Sequence, residues 1–116
     1  MRFVIYGAGA VGGTIGARLF QYGHEVLLIA RGAHYDAIKS NGLTFVTPLE
    51  SVNLPIPIVS HPSQIEFSSD DVVILTMKSQ HTWDALLSLR AAAGTDVPVI
   101  CCQNGVANER MAIRLF

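Results

Sequence analysis

The chain has 116 residues, half of them hydrophobic and 15% charged, with a net charge of −1 and a mean hydropathy of +0.39. That length suits one domain burying roughly 65% of its unfolded surface, and the composition excludes a charge-rich disordered tail. There is no basic excess to neutralise phosphates along a nucleic acid, and no apolar run reaches the ~20 residues that span a bilayer.

Met1-Arg2 followed by apolar residues resembles a signal peptide, but Gly7, Gly9, Gly12, Gly13 and Gly16 interrupt any apolar core. Phe3-Val4-Ile5-Tyr6 instead reads as a strand buried on both faces. From Ala10 the period changes, with Val11, Ile15 and Leu19 on one helical face and Arg18 and Gln21 off it. Gly23 ends that helix as a left-handed cap. Glu25 to Ala30 is a second buried strand, so residues 2–30 have the size of one strand–helix–strand unit.

Tyr35 to Ser40 reads as a short helix stopped by Asn41-Gly42, and Leu43–Val46 and Val52–Val59 as strand segments. Pro48, Pro55 and Pro57 place those segments at edges, as a β excursion decorating the sheet. Val72 to Thr76 is the third buried strand. A helix carrying Trp83, Leu86, Leu87 and Ala91 on one face follows it and stops at Gly94. Val97 to Cys102 is a further strand, and a last helix begins near Val106, with Met111 and Leu115 on one side. Solid apolar strands alternating with helices predict an α/β fold. Its sheet is mainly parallel, doubly wound and Rossmann-like, with helices on both faces.

Gly7-Ala8-Gly9-Ala10-Val11-Gly12 fits G-x-G-x-x-G between a strand and a helix, the context that gives the pattern meaning. Gly7 permits the turn, Gly9 admits a pyrophosphate, and Gly12 lets helix and strand pack closely. The helix N-terminus offers unpaired N–H groups and its positive dipole end. Interior glycines cost ~1 kcal/mol each, so a compensating role is expected. An acid about 20 residues on would select NAD; here the place reads Ile29-Ala30-Arg31-Gly32. A guanidinium suits a 2′-phosphate through charge-assisted bonds, which points to NADP(H).

Lys78 and Asn104 follow two other strands and belong to the same crevice. Lys78 is either an anion ligand or an exposed lysine; Asn104 is either a cofactor and substrate contact or half of an Asn-Gly turn. His34 and His81 read as surface residues, Trp83 as packing between helix and sheet, and Asp70-Asp71 as a solvated turn. The four histidines lack metal-ligand spacing, and adjacent Cys101 and Cys102 read as reduced, buried and cytosolic.

Taken together, Gly7 to Gly13, Gly23-His24-Glu25-Val26, Arg31, Thr76-Met77-Lys78-Ser79 and Gln103-Asn104-Gly105-Val106 resemble the N-terminal domain of the ketopantoate reductase (2-dehydropantoate 2-reductase) family. The resemblance spans nearly the whole chain and makes residues 1–116 one NADP-binding domain. It implies a cytoplasmic oxidoreductase reducing ketopantoate, a small 2-keto acid, to pantoate on the way to pantothenate and coenzyme A. It places Gly7, Ala8, Gly9, Ala10, Val11 and Gly12 on the pyrophosphate and Arg31 on the 2′-phosphate. It puts Lys78 and Asn104 on cofactor or substrate. The family's proton donor lies in a helical C-terminal domain, which this chain lacks. The expectation is therefore cofactor binding without turnover, no catalytic residue in this chain, and self-association through an incomplete sheet edge. Two alternatives share these residues: a dehydrogenase of another 2-keto acid, and a non-catalytic NADP-binding or redox-sensing module.

Overall fold

Unbroken apolar runs become the strands of a sheet buried on both sides. The structure, a computed structural model, describes residues 1–77 and 81–102. The elements are β1 (Arg2–Tyr6), α1 (Ala10–Gln21), β2 (Glu25–Ile29), α2 (Gly32–Asn41), β3 (Leu43–Val46), β4 (Ser51–Leu54), β5 (Ile58–Val59), a 3-10 turn (Pro62–Gln64), β6 (Asp71–Leu75), α3 (Thr82–Ala93) and β7 (Val99–Cys101). The five-stranded sheet has the order β5-β2-β1-β6-β7 and every pairing in it is parallel. Ile5 of β1 pairs with Leu28 on one side and Ile74 on the other.

Alternate residues of the central strands feed two cores. Ile5, Leu28 and Ile74 pack with Ala17 of α1, Ile38 of α2, and Leu43 and Phe45 of β3. Val4, Leu27, Val73 and Leu75 pack with Leu86 and Leu89 of α3 on the opposite face. The sheet is thus doubly wound, as the apolar runs predict. β3 and β4 form a separate antiparallel hairpin, the expected β excursion. The predicted Val52–Val59 segment divides at Pro55 and Pro57, leaving β5 as an edge strand.

Three local expectations are corrected. The face α1 buries is Gly12, Gly13, Gly16 and Ala17, while Val11 is 53% exposed and Ile15 and Leu19 only flank the core. The cause is distance: a Cβ on Gly16 would sit 3.0 Å from the Leu28 side chain, so the sheet touches the helix backbone itself. On α3 the buried residues are Thr82, Leu86 and Leu89, and Trp83 and Leu87 face outward. Asp71 is no solvated turn residue. It is 1% exposed and takes a two-pronged ion pair from Arg2, with Nε and Nη2 each 2.8 Å from a carboxylate oxygen. Burial pushes its carboxyl up, but the Arg2 hydrogen bonds, the Ser68 N–H and the Arg2 charge outweigh that and hold it below its ordinary value.

α1 ends as the sequence predicts. The His24 N–H reaches the Leu19 carbonyl and the Gly23 N–H the Phe20 carbonyl, with Gly23 at φ +86°, a Schellman motif. α2 starts at Gly32, three residues before the predicted Tyr35. Cys101 is half-buried and Cys102 exposed, so the expected burial fails for Cys102. No described helix is long and apolar enough to cross a membrane. Lys78, Asn104 and the helix expected from Val106 lie outside the described residues.

Candidate functional site

The site is built at the carboxyl ends of the parallel strands, where ligands sit in open α/β sheets. Leaving β1, the chain turns at Gly7 with φ +110°, a backbone state that side chains rarely adopt. A Cβ at Gly7 would also lie 2.8 Å from the Met77 nitrogen. Five residues further on, a Cβ on Gly12 would lie 1.8 Å from the Gly7 carbonyl oxygen and 2.5 Å from Thr76 Oγ1. The loop is therefore folded hard against the first turn of α1. Thr76, just past β6, locks it by donating its hydroxyl to the carbonyls of Gly7 and Tyr6.

Gly9 is different in kind. Its φ of −74° suits any residue, and among the described residues nothing lies within 4 Å of where its Cβ would be. Neither its conformation nor its packing among the described residues asks for glycine there. Gly9 caps α1 without a side-chain hydrogen bond, and no acidic residue stands in the first turn. The helix thus presents unpaired N–H groups at an open, positively polarised end.

Beside the loop lies a cleft of about 390 Å³. Tyr6, Gly7 and Ala8 form its floor, Arg31 and His34 enter from the start of α2, Ser60 and His61 from beyond β5, and His81 and Asp84 from the start of α3. Arg31 caps α2 in extended backbone (φ −137°) and is exposed. Its charge reaches the floor. Burial pushes the Tyr6 phenol up, and the Arg31 guanidinium opposes that. Of the predicted site residues, Gly7, Ala8 and Arg31 line this cleft. Gly9, Ala10 and Val11 form the exposed mouth of α1, and Gly12 is a buried packing residue rather than an open contact.

Sequence reasoning missed that three of the four histidines, 34, 61 and 81, share the cleft. Each stands shortly beyond a strand's carboxyl end or at the start of the next helix, a position that the strand-end rule flags. The role of Thr76 left a weaker trace, because its partner is some 69 residues away.

A parallel sheet of order β5-β2-β1-β6-β7, with a glycine turn leading from its central strand into an uncapped helix, defines a Rossmann-like dinucleotide-binding architecture. The chain belongs to the family described as ketopantoate reductase PanE/ApbA, whose sequence profile matches residues 3–116. It is 39% identical over 116 residues to the 2-dehydropantoate 2-reductase of Pyrococcus horikoshii, covering 99% of this chain and 36% of that protein. The crystal structure of a PanE/ApbA family ketopantoate reductase from Ralstonia eutropha superimposes with a TM-score of 0.90 at 35% identity, over 100% of this chain and 38% of that one. A ternary structure of D-mandelate dehydrogenase with NADH and anilino(oxo)acetate gives 0.87 at 33% identity, over 99% of this chain and 37% of that one. The chain therefore spans about a third of the length of these relatives.

Proposed function

We propose that this chain forms the NADP(H)-binding part of a cytoplasmic oxidoreductase that reduces ketopantoate, a small 2-keto acid, to pantoate in pantothenate and coenzyme A synthesis. One observation carries the dinucleotide reading. Gly9 is a glycine that neither its backbone conformation nor its packing among the described residues requires, placed at the exposed mouth of a helix without a side-chain cap. A pyrophosphate approaching the backbone is the remaining reason to forbid a side chain there.

The residues present fit the group. The N–H groups of the first turn of α1 would hold the pyrophosphate, and Arg31 the 2′-phosphate at the end of β2, where no acid stands. Bound there, a reduced nicotinamide supplies the hydride for a keto carbon. Thr76 and Gly12 hold the loop in shape, and Tyr6 and Ala8 close the cleft floor against solvent. Lys78 and Asn104 remain proposed cofactor and substrate contacts. No proton transfer is assigned to the described residues.

A second reading, NADH with another 2-keto acid, has the likeness to D-mandelate dehydrogenase with NADH behind it. Calorimetric titration with NADPH and NADH, repeated on Arg31→Ala, separates the two. NADPH binding that exceeds NADH binding and collapses in the variant supports NADP(H). Equal binding of both, untouched by the variant, supports the second reading.

A further inference from the structure

Resting on the nucleotide reading above, we infer that His61 is a further binding residue for the adenosine half of the dinucleotide, donating a hydrogen bond from its Nε2–H. The 3-10 turn after β5 is a capping box. The Gln64 side-chain oxygen accepts from the backbone N–H of Ser60 at 2.8 Å and of His61 at 3.2 Å. In return, His61 Nδ1 lies 3.1 Å from the backbone nitrogen of Ser63 and 2.8 Å from its hydroxyl. A backbone N–H only donates, so Nδ1 is the acceptor. With Nδ1 accepting, the ring N–H is on Nε2, and the Ser63 hydroxyl donates a hydrogen bond to Nδ1 as well.

The turn that fixes this tautomer is itself fixed. Pro62 is buried, and Ile65 packs into the core shared with Leu86 and Leu89 of α3. Nε2–H has no protein partner among the described residues, and His61 lines the cleft together with Arg31 and Tyr6. His61 is exposed, so a pre-oriented donor without a partner among the described residues stands open to solvent at the wall of the candidate site.

The sheet order says which half of a dinucleotide it meets. The glycine turn after β1 marks the pyrophosphate, and β2 and β5 lie together on one side of it, with β6 and β7 on the other. The β2 end carries the residue that reads the ribose 2′ position. His61, beyond the adjoining β5, stands on that same side. Acceptors there are the adenine ring nitrogens, the ribose oxygens and a 2′-phosphate.

The test uses ADP and adenosine 2′,5′-bisphosphate as probes on the purified protein, with calorimetry and imidazole ¹⁵N NMR. His61→Asn keeps a side-chain acceptor for the cap but removes the Nε2–H. It is expected to weaken binding about tenfold with unchanged melting. Gln64→Ala loosens the same turn without touching the ring and is expected to bind near the wild-type level. A loss confined to the bisphosphate assigns the contact to the 2′-phosphate; a loss with both probes assigns it to adenine or ribose. In the wild type, His61 Nε2 should shift on nucleotide addition more than Nδ1, a readout independent of how any variant folds. Unchanged binding by His61→Asn, an equal loss in Gln64→Ala, or an unmoved Nε2 resonance overturns the inference while leaving the nucleotide reading intact. Wild-type protein that binds neither probe overturns both.

Discussion

The two ends of the parallel sheet are finished in opposite ways. At the amino ends of β1 and β6, charge is paired and closed. Arg2 grips Asp71 with both prongs, and the Asp71 carboxylate also takes the Ser68 N–H while Arg2 reaches the Glu66 carbonyl. At the carboxyl ends, donors are left open among the described residues: α1 begins without a side-chain cap, and Arg31 and His61 line a cleft. A satisfied end contributes stability and offers a ligand nothing. An unsatisfied end forgoes that stability and keeps its hydrogen-bonding capacity for something outside the chain. On the proposed function, binding and folding fall at opposite strand ends of one sheet, and substitutions should separate them.

The largest expected effect comes at the one place where the open end is also tightly packed. Gly12→Ala would put a methyl 1.8 Å from the Gly7 carbonyl, so the loop and α1 must part. The expected cost is about 3 kcal/mol in chemical denaturation, with loss of nucleotide binding. A variant of wild-type stability would contradict the close approach.

Next is the closed end. Arg2→Ala leaves the buried Asp71 carboxylate without its ion partner, at an expected cost of about 2 kcal/mol at pH 7 and no change in nucleotide affinity. The folded Asp71 pKa is depressed, so this contribution is complete above the unfolded value near ~3.9 and disappears as pH falls through the lower folded value. The stability difference between wild type and variant, followed by urea titration from pH 7 downward, should therefore hold constant and then close below the ordinary carboxylate range. A difference that grows on acidification would refute the pairing.

Arg31→Ala, at the open end, should do the reverse. NADPH affinity is expected to fall by about 2 kcal/mol, roughly 30-fold, with NADH affinity and melting unmoved. Gly9→Ala sharpens the contrast further: folding stability within about 0.5 kcal/mol of wild type, because no described residue lies within 4 Å of the new methyl, and both dinucleotides weakened about tenfold. If Gly9→Ala binds NADPH as wild type does, the open glycine has no ligand role. The smallest effect belongs to Trp83→Ser on the outer face of α3, where the indole is 40% exposed: a loss of about 1 kcal/mol by thermal melting, with nucleotide binding unchanged.

The two ends were also unequally legible in the sequence. The carboxyl end is written in local signals: a glycine pattern after an apolar run, and an arginine where an acid would select NAD. Each depends on neighbours a few residues away. The amino end is a pairing across 69 residues, and an aspartate before a strand looks the same whether solvated or clamped by a distant guanidinium. The face of α1 was misread for another reason. Hydrophobic periodicity follows side chains, whereas this helix meets the sheet through Gly12, Gly13 and Gly16, which have none. Trp83 and Leu87 misled by the same rule in reverse, since apolar residues at helical spacing lie here on the outer face of α3. The histidines of the cleft stand on three separate segments, and only the fold brings them together.

The most direct measurement is a calorimetric titration of the purified protein with NADPH and then NADH, with circular dichroism on the same sample. Saturable NADPH binding at one site, stronger than NADH binding, is the expected result. A chain that shows the α/β spectrum and the cooperative melt of this fold, yet binds neither nucleotide, would contradict the assignment of the open sheet end to a dinucleotide.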